Sequence, residues 1–178
     1  MKKIISKERK GNQRRRGQSM VEFAIVLPVF LLVFFGIIDF SLFTYDYVAL
    51  RNAARAGAQF AITNPTSYST TDPPVANTIQ YIIEENGKPN SLNLSDIQIQ
   101  YYAIVDGGSA LECGYYDSST GTFNSDNGYT ENNCLTQGNT IIRITLTTTY
   151  NFVTPVLQSI VGNGVTMTTS SALIEEQT

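Results

Sequence analysis

The sequence predicts an α+β protein: a long amino-terminal helix that crosses a membrane and continues as a stalk, then a small antiparallel sheet with helices. Three observations carry this reading. No charged residue stands between Glu22 and Asp39, and residues 18–38 supply about the 20 residues needed to cross a ~30 Å hydrocarbon core as a helix. Beyond Asp39, Phe40, Phe43, Tyr47, Leu50, Ala54, Gly57 and Ala61 recur at alternating steps of three and four, one apolar stripe on a continuing helix. Two later segments alternate apolar and polar residues with period two, as half-buried strands do. The chain therefore divides into a basic leader (1–17), a spanning helix with stalk (18–62) and a head (63–178).

The leader is charged, lacks apolar periodicity and reads as disordered. Up to Gly17 it carries eight basic residues against Glu8 alone, a balance of +7; the remainder has four against fourteen acids, a balance of −10. A basic end beside a span stays in the cytoplasm, so the acidic remainder is expected outside. Beside a membrane span, that topology reading outweighs a nucleic-acid-binding arm. Small-residue sites such as Ala54-Arg55-Ala56 lie too far beyond Ile38 for an ordinary signal-peptidase cut. Pro28 is tolerable within a span, where neighbouring groups satisfy the freed carbonyl.

The rod from Gln18 to Ile62 measures roughly 65 Å at ~1.5 Å per residue. Its upper part narrows to Ala53, Gly57 and Ala61, which either lets another element approach closely or reflects alanine's helix propensity. Thr63-Asn64-Pro65 ends it. Asp72-Pro73-Pro74 reads as a helix start with Val75, Ile79, Ile82 and Ile83 on one face, and Asn86-Gly87 as its stop. Ile97 to Val105 reads as a strand, and Thr140 to Phe152 as a second. A short helix follows from Val156 to Val161, then a last strand from Val165 to about Ile174. Between the first two strands, residues 106–138 read as a long Gly/Ser/Asn-rich loop. A Cys113–Cys134 disulfide would staple it, contributing about 3 kcal/mol in the chain-entropy model, two free buried thiols being the alternative.

Composition narrows the function. With no histidine, imidazole catalysis and imidazole metal sites are excluded, and two cysteines fall short of a zinc set. Asp106, Asp117 and Asp126 match no calcium-loop pattern and read as solvated loop acids. No enzyme, cofactor, metal, nucleic acid or small-molecule substrate is expected. Tyr115, Tyr116 and Tyr129 are candidate surface contacts should the head be a binding module on a permanent anchor.

One stretch is more specific. Arg15-Arg16-Gly17-Gln18-Ser19-Met20-Val21-Glu22-Phe23, followed by Ala-Ile-Val-Leu-Pro, resembles the start of TadE-like proteins, the pseudopilins of the tight-adherence (Flp-type) pilus system. The likeness extends through Ile37-Ile38-Asp39-Phe40 and Asn52-Ala53-Ala54-Arg55-Ala56-Gly57-Ala58, while the carboxy-terminal part resembles the family only in style. The resemblance implies a pilin-like fold in the cytoplasmic membrane, cut by a prepilin peptidase between Gly17 and Gln18. It implies partners too: other pilins and pseudopilins and the assembly platform. Glu22 would become the fifth residue of the mature chain, one helical turn from the new Gln18 ammonium. A carboxylate at a membrane edge costs about 2–3 kcal/mol unless paired or near water. A neighbouring subunit's terminal ammonium would pair with it and set axial register, or Glu22 complements the positive end of its own helix.

Overall fold

The computed structural model describes residues 13–87, 92–105, 108–118, 120–135, 139–162 and 164–176. Its main axis is α1 (Gln13–Thr63), a helix that runs through Pro28 without a break. The helix starts at Gln13, so the last turn of the leader is helical where disorder was expected. Thr63 closes it, with the Asn64 N–H donating to the Phe60 carbonyl at 3.0 Å.

The rest of the chain forms one antiparallel sheet against the far half of α1. Its strands are β1 (Ile97–Val105), β2 (Ser109–Asp117), β3 (Thr122–Ser125), β4 (Asn139–Tyr150) and β5 (Val165–Glu176). Their order is β3-β2-β1-β4-β5, with every neighbouring pair antiparallel. Short helices decorate it: α2 (Ile79–Gly87), α3 (Glu131–Leu135) and α4 (Pro155–Val161).

Period-two alternation decides which face is covered. Ile97, Ile99, Tyr101 and Ala103 of β1, and Ile142, Ile144, Leu146 and Tyr150 of β4, are buried towards α1 and α2. The opposite face is polar: the Arg143 guanidinium lies 4.6 Å from the Tyr102 ring centre and donates to its hydroxyl at 3.1 Å. On α1, the buried positions are Asp39, Leu50, Ala53, Ala54, Gly57, Ala58 and Ala61. The small-residue stripe thus serves close approach. Phe40 and Tyr47, expected on the same stripe, are exposed, because the covered face runs through Asp39 and Phe43 instead.

Two further expectations change. Residues 106–138 are not a plain loop, for β2, β3 and α3 lie within them, and the Cys113–Cys134 disulfide joins β2 to α3. Between Tyr101 and Tyr102 the pairing shifts from Gly114 to Glu112, leaving Cys113 as the extra residue of a β-bulge. Secondly, α2 begins at Ile79 and not at Pro73. Asn77 holds a left-handed φ of 63°, which no helix interior accommodates, and the Thr78 hydroxyl accepts from the Tyr81 N–H as a cap.

Candidate functional site

The end of α1 that carries Gly17, Gln18 and Glu22 is remote from the sheet. Gln18 and Glu22 are both exposed, and the Gln18 side-chain amide donates to Glu22 Oε1 at 3.2 Å across one turn. Gly17 lies inside the helix, four residues beyond its start. From Met20 to Phe35 every apolar side chain stays exposed, although α4 borders one side, where Leu157 lines a cleft with Pro28, Leu31, Leu32 and Phe35. A soluble core helix would be covered here. This one is long and apolar enough to cross a membrane, as a single-pass anchor must be.

Where the apolar run ends, the sheet takes hold of the rod. Asp39 is 1 % exposed. Its Oδ1 accepts the Val153 N–H at 3.0 Å and its Oδ2 the Thr154 N–H at 3.2 Å, while the Tyr150 hydroxyl donates to the Asp39 carbonyl at 3.3 Å. Thr154 is the N-cap residue of α4, and its own side chain makes no capping bond. The Asp39 carboxylate therefore holds the segment entering α4 and sets negative charge near that helix's positive end. Edge-to-face contacts complete the collar, Phe43 against Tyr150 and Tyr150 against Phe152, each with centroids 5.5 Å apart. Sequence reasoning set Asp39 at the end of the charge-free run and within the Ile37–Phe40 likeness, and gave it no structural role. A signal was present, an acid beside a long apolar segment with no local cation, but its partners lie more than a hundred residues away.

The tyrosines expected as surface contacts separate. Tyr115 is 46 % exposed on β2. Tyr116 turns inward and stacks on Tyr68 at 3.7 Å, so it offers no surface. Tyr129 is half-buried against the core. Among the described residues no group of three or more Cys, Asp or Glu side chains converges into a metal site, and Asp106 lies outside them.

Tyr68 donates to the Tyr101 hydroxyl at 2.7 Å, and Tyr101 donates onward to the Pro65 carbonyl at 3.0 Å. Burial pushes both hydroxyls above the ordinary value of 10.0. The folded chain thus keeps two protons that the unfolded chain releases above about pH 10. Stability is whole below that pH and falls as pH rises towards the folded values, by about 1.4 kcal/mol per pH unit for each tyrosine. In an alkaline titration the tyrosinate absorbance of this pair should appear only as native circular dichroism is lost. A Tyr68→Phe, Tyr101→Phe double variant should flatten the alkaline decline.

Residues 17–59 match the family described as TadE-like protein. The match starts at Gly17 and covers the apolar run, Asp39 and Phe43 of the collar and most of the small-residue stripe, but not the sheet. Neither a curated protein nor a solved structure matches the chain significantly.

Proposed function

We propose, with the TadE-like segment as premise, that the chain is a membrane-anchored minor pilin or pseudopilin of a Tad-type pilus. A prepilin peptidase would remove residues 1–17, and the mature subunit would assemble with other pilins through its apolar rod. Its role is assembly and not catalysis. One observation carries the reading: the family match begins at Gly17, the residue where the basic leader meets the apolar run. The excess of basic residues before that point supports a cytoplasmic leader and an outer head, on either side of the inner membrane.

Processing at this point has a physical requirement. Proteases bind extended chain, and Gly17 lies within α1, so its turn must unwind before the cut. Glycine lowers that cost by about 1 kcal/mol relative to alanine and puts no Cβ into a narrow cleft. After the cut, the Gln18 amine would carry positive charge one turn from Glu22, whose exposed carboxylate is open to a neighbouring subunit's terminus.

The test is intact mass and amino-terminal sequencing of the protein from its native membrane, beside a Gly17→Ala variant. A mature chain beginning at Gln18, abolished in the variant, is the expected result. A chain that keeps its leader in both samples would overturn processing and leave a permanently anchored binding head, with Tyr115 as its aromatic contact.

A further inference from the structure

We infer that the turn following β4, residues 151–162 with α4 at its centre, is a second membrane-inserted element, seated in the head-side leaflet beside α1. The inference rests on the anchor reading of α1 and concerns a part of the chain that the family match does not reach.

The starting point is where the collar places α4. Leu157 lines one cleft with Pro28, Leu31, Leu32 and Phe35, and another with Gly36, Asp39, Phe40 and Phe43. The helix therefore lies alongside the charge-free run and not beyond its end. Phe35 and Leu31 are four and eight residues before Asp39, which is roughly 6 and 12 Å along the helix axis.

Span length then forces a choice. If the bilayer stopped short of α4, only residues 18–27 would remain to cross it, roughly 15 Å of helix against the ~30 Å of a hydrocarbon core. With α4 inside the membrane, residues 18–38 are all available and the length fits.

The chemistry of the turn agrees. No charged residue occurs between Arg143 and Glu175. The side chains facing away from the rod include Val153, Ile160 and Val161, which are 67, 68 and 51 % exposed. Such a patch has no partner in water, and Leu157 of the same helix borders the outward-facing apolar surface of α1. Three donors of the turn are satisfied, the Gln158 amide by the Phe152 carbonyl at 2.6 Å and the Val153 and Thr154 N–H groups by Asp39, while the buried Thr154 hydroxyl has no partner. An interfacial helix of this kind buries its apolar face about 5–10 Å into the headgroup–acyl boundary. The occupant of the patch is thus the lipid bilayer itself, and the head is held to the membrane at two points.

The chain has no tryptophan, so single tryptophans report without background. The full chain is reconstituted, at high lipid excess, in phosphatidylcholine–phosphatidylglycerol vesicles with or without mid-chain brominated lipid. Three exposed positions are replaced singly: Phe30→Trp in the apolar run, Ile160→Trp in the turn and Val75→Trp on the distal side of the head. Val153→Trp is a second probe of the turn. Ile160→Trp and Val153→Trp should emit to the blue and lose roughly half their emission in brominated vesicles, as Phe30→Trp does, while Val75→Trp is unaffected. Quenching of Phe30→Trp alone would overturn the inserted turn and leave the anchor standing. Blue-shifted but unquenched emission in the turn would also overturn it, showing a protein neighbour over the patch. No quenching at Phe30→Trp would overturn the anchor and the inserted turn together.

Discussion

Replacing Asp39 with alanine is expected to loosen the β4–β5 turn from the rod by about 2–4 kcal/mol. The carboxylate accepts two backbone N–H groups at 3.0 and 3.2 Å in a site where its residue is 1 % exposed. Hydrogen bonds to a charged group contribute about 1.5–3 kcal/mol each, and an unpaired buried donor costs about 1–3 kcal/mol. Removing the desolvation cost of the carboxylate offsets part of this, so the sum falls short of two full bonds. Amide hydrogen exchange reads the change locally. In Asp39→Ala the Val153 and Thr154 amides should exchange roughly a hundredfold faster, the equivalent of about 3 kcal/mol, while core amides of β1 keep their protection. Asp39→Asn retains one acceptor without charge and should fall between the two. Unchanged exchange at both amides in the alanine variant would show that Asp39 does not hold the turn.

How far such contacts are legible in a sequence depends on whether their cause is local. β1, β4 and β5 were readable because period-two apolar spacing reports the covered face, the rod because its helical pattern is long and unbroken, and α4 because Thr154-Pro155 and Gly162 bracket it. The Gly17–Glu22 motif was readable because it is linear. β2 was missed because the bulge at Cys113 places two buried residues, Cys113 and Gly114, side by side and breaks the alternation. Once that segment is a strand, Tyr115 and Tyr116 must face opposite sides of the sheet, so both could not be surface contacts. The start of α2 depended on the left-handed Asn77, which proline and aspartate nearby disguised as a helix start at Asp72. Asp39 is the instructive omission. Its environment is made by Val153 and Thr154, and only the fold brings those positions together.

Gly57→Leu is expected to cost about 3 kcal/mol or more, while Gly36→Ala on the same helix should cost the head nothing. At position 57 even a Cβ would stand 2.4 Å from Ile83 Cγ1, 2.8 Å from Ile83 Cδ1 and 3.1 Å from Ile144 Cδ1. These atoms belong to Ile83 of α2 and Ile144 of β4, two fully buried residues, so a leucine must drive the helix away from the sheet or Ile83 out of its place. Overpacking of this kind costs about 1–3 kcal/mol and occasionally more, and leucine adds three carbons beyond the colliding Cβ. The helix itself argues the other way, since replacing an interior glycine gains about 1 kcal/mol in propensity. At Gly36 nothing lies within 4 Å of the added Cβ, so that position isolates the propensity effect. A double-mutant cycle with Ile83→Ala separates the two contributions. Ile83→Ala alone should cost about 2–5 kcal/mol by leaving a cavity, and Gly57→Leu should fill part of it. The double variant should then lose less than the sum of the single losses by about 1–3 kcal/mol, as urea unfolding in detergent micelles would measure. Additive losses would mean that residues 57 and 83 are not in contact.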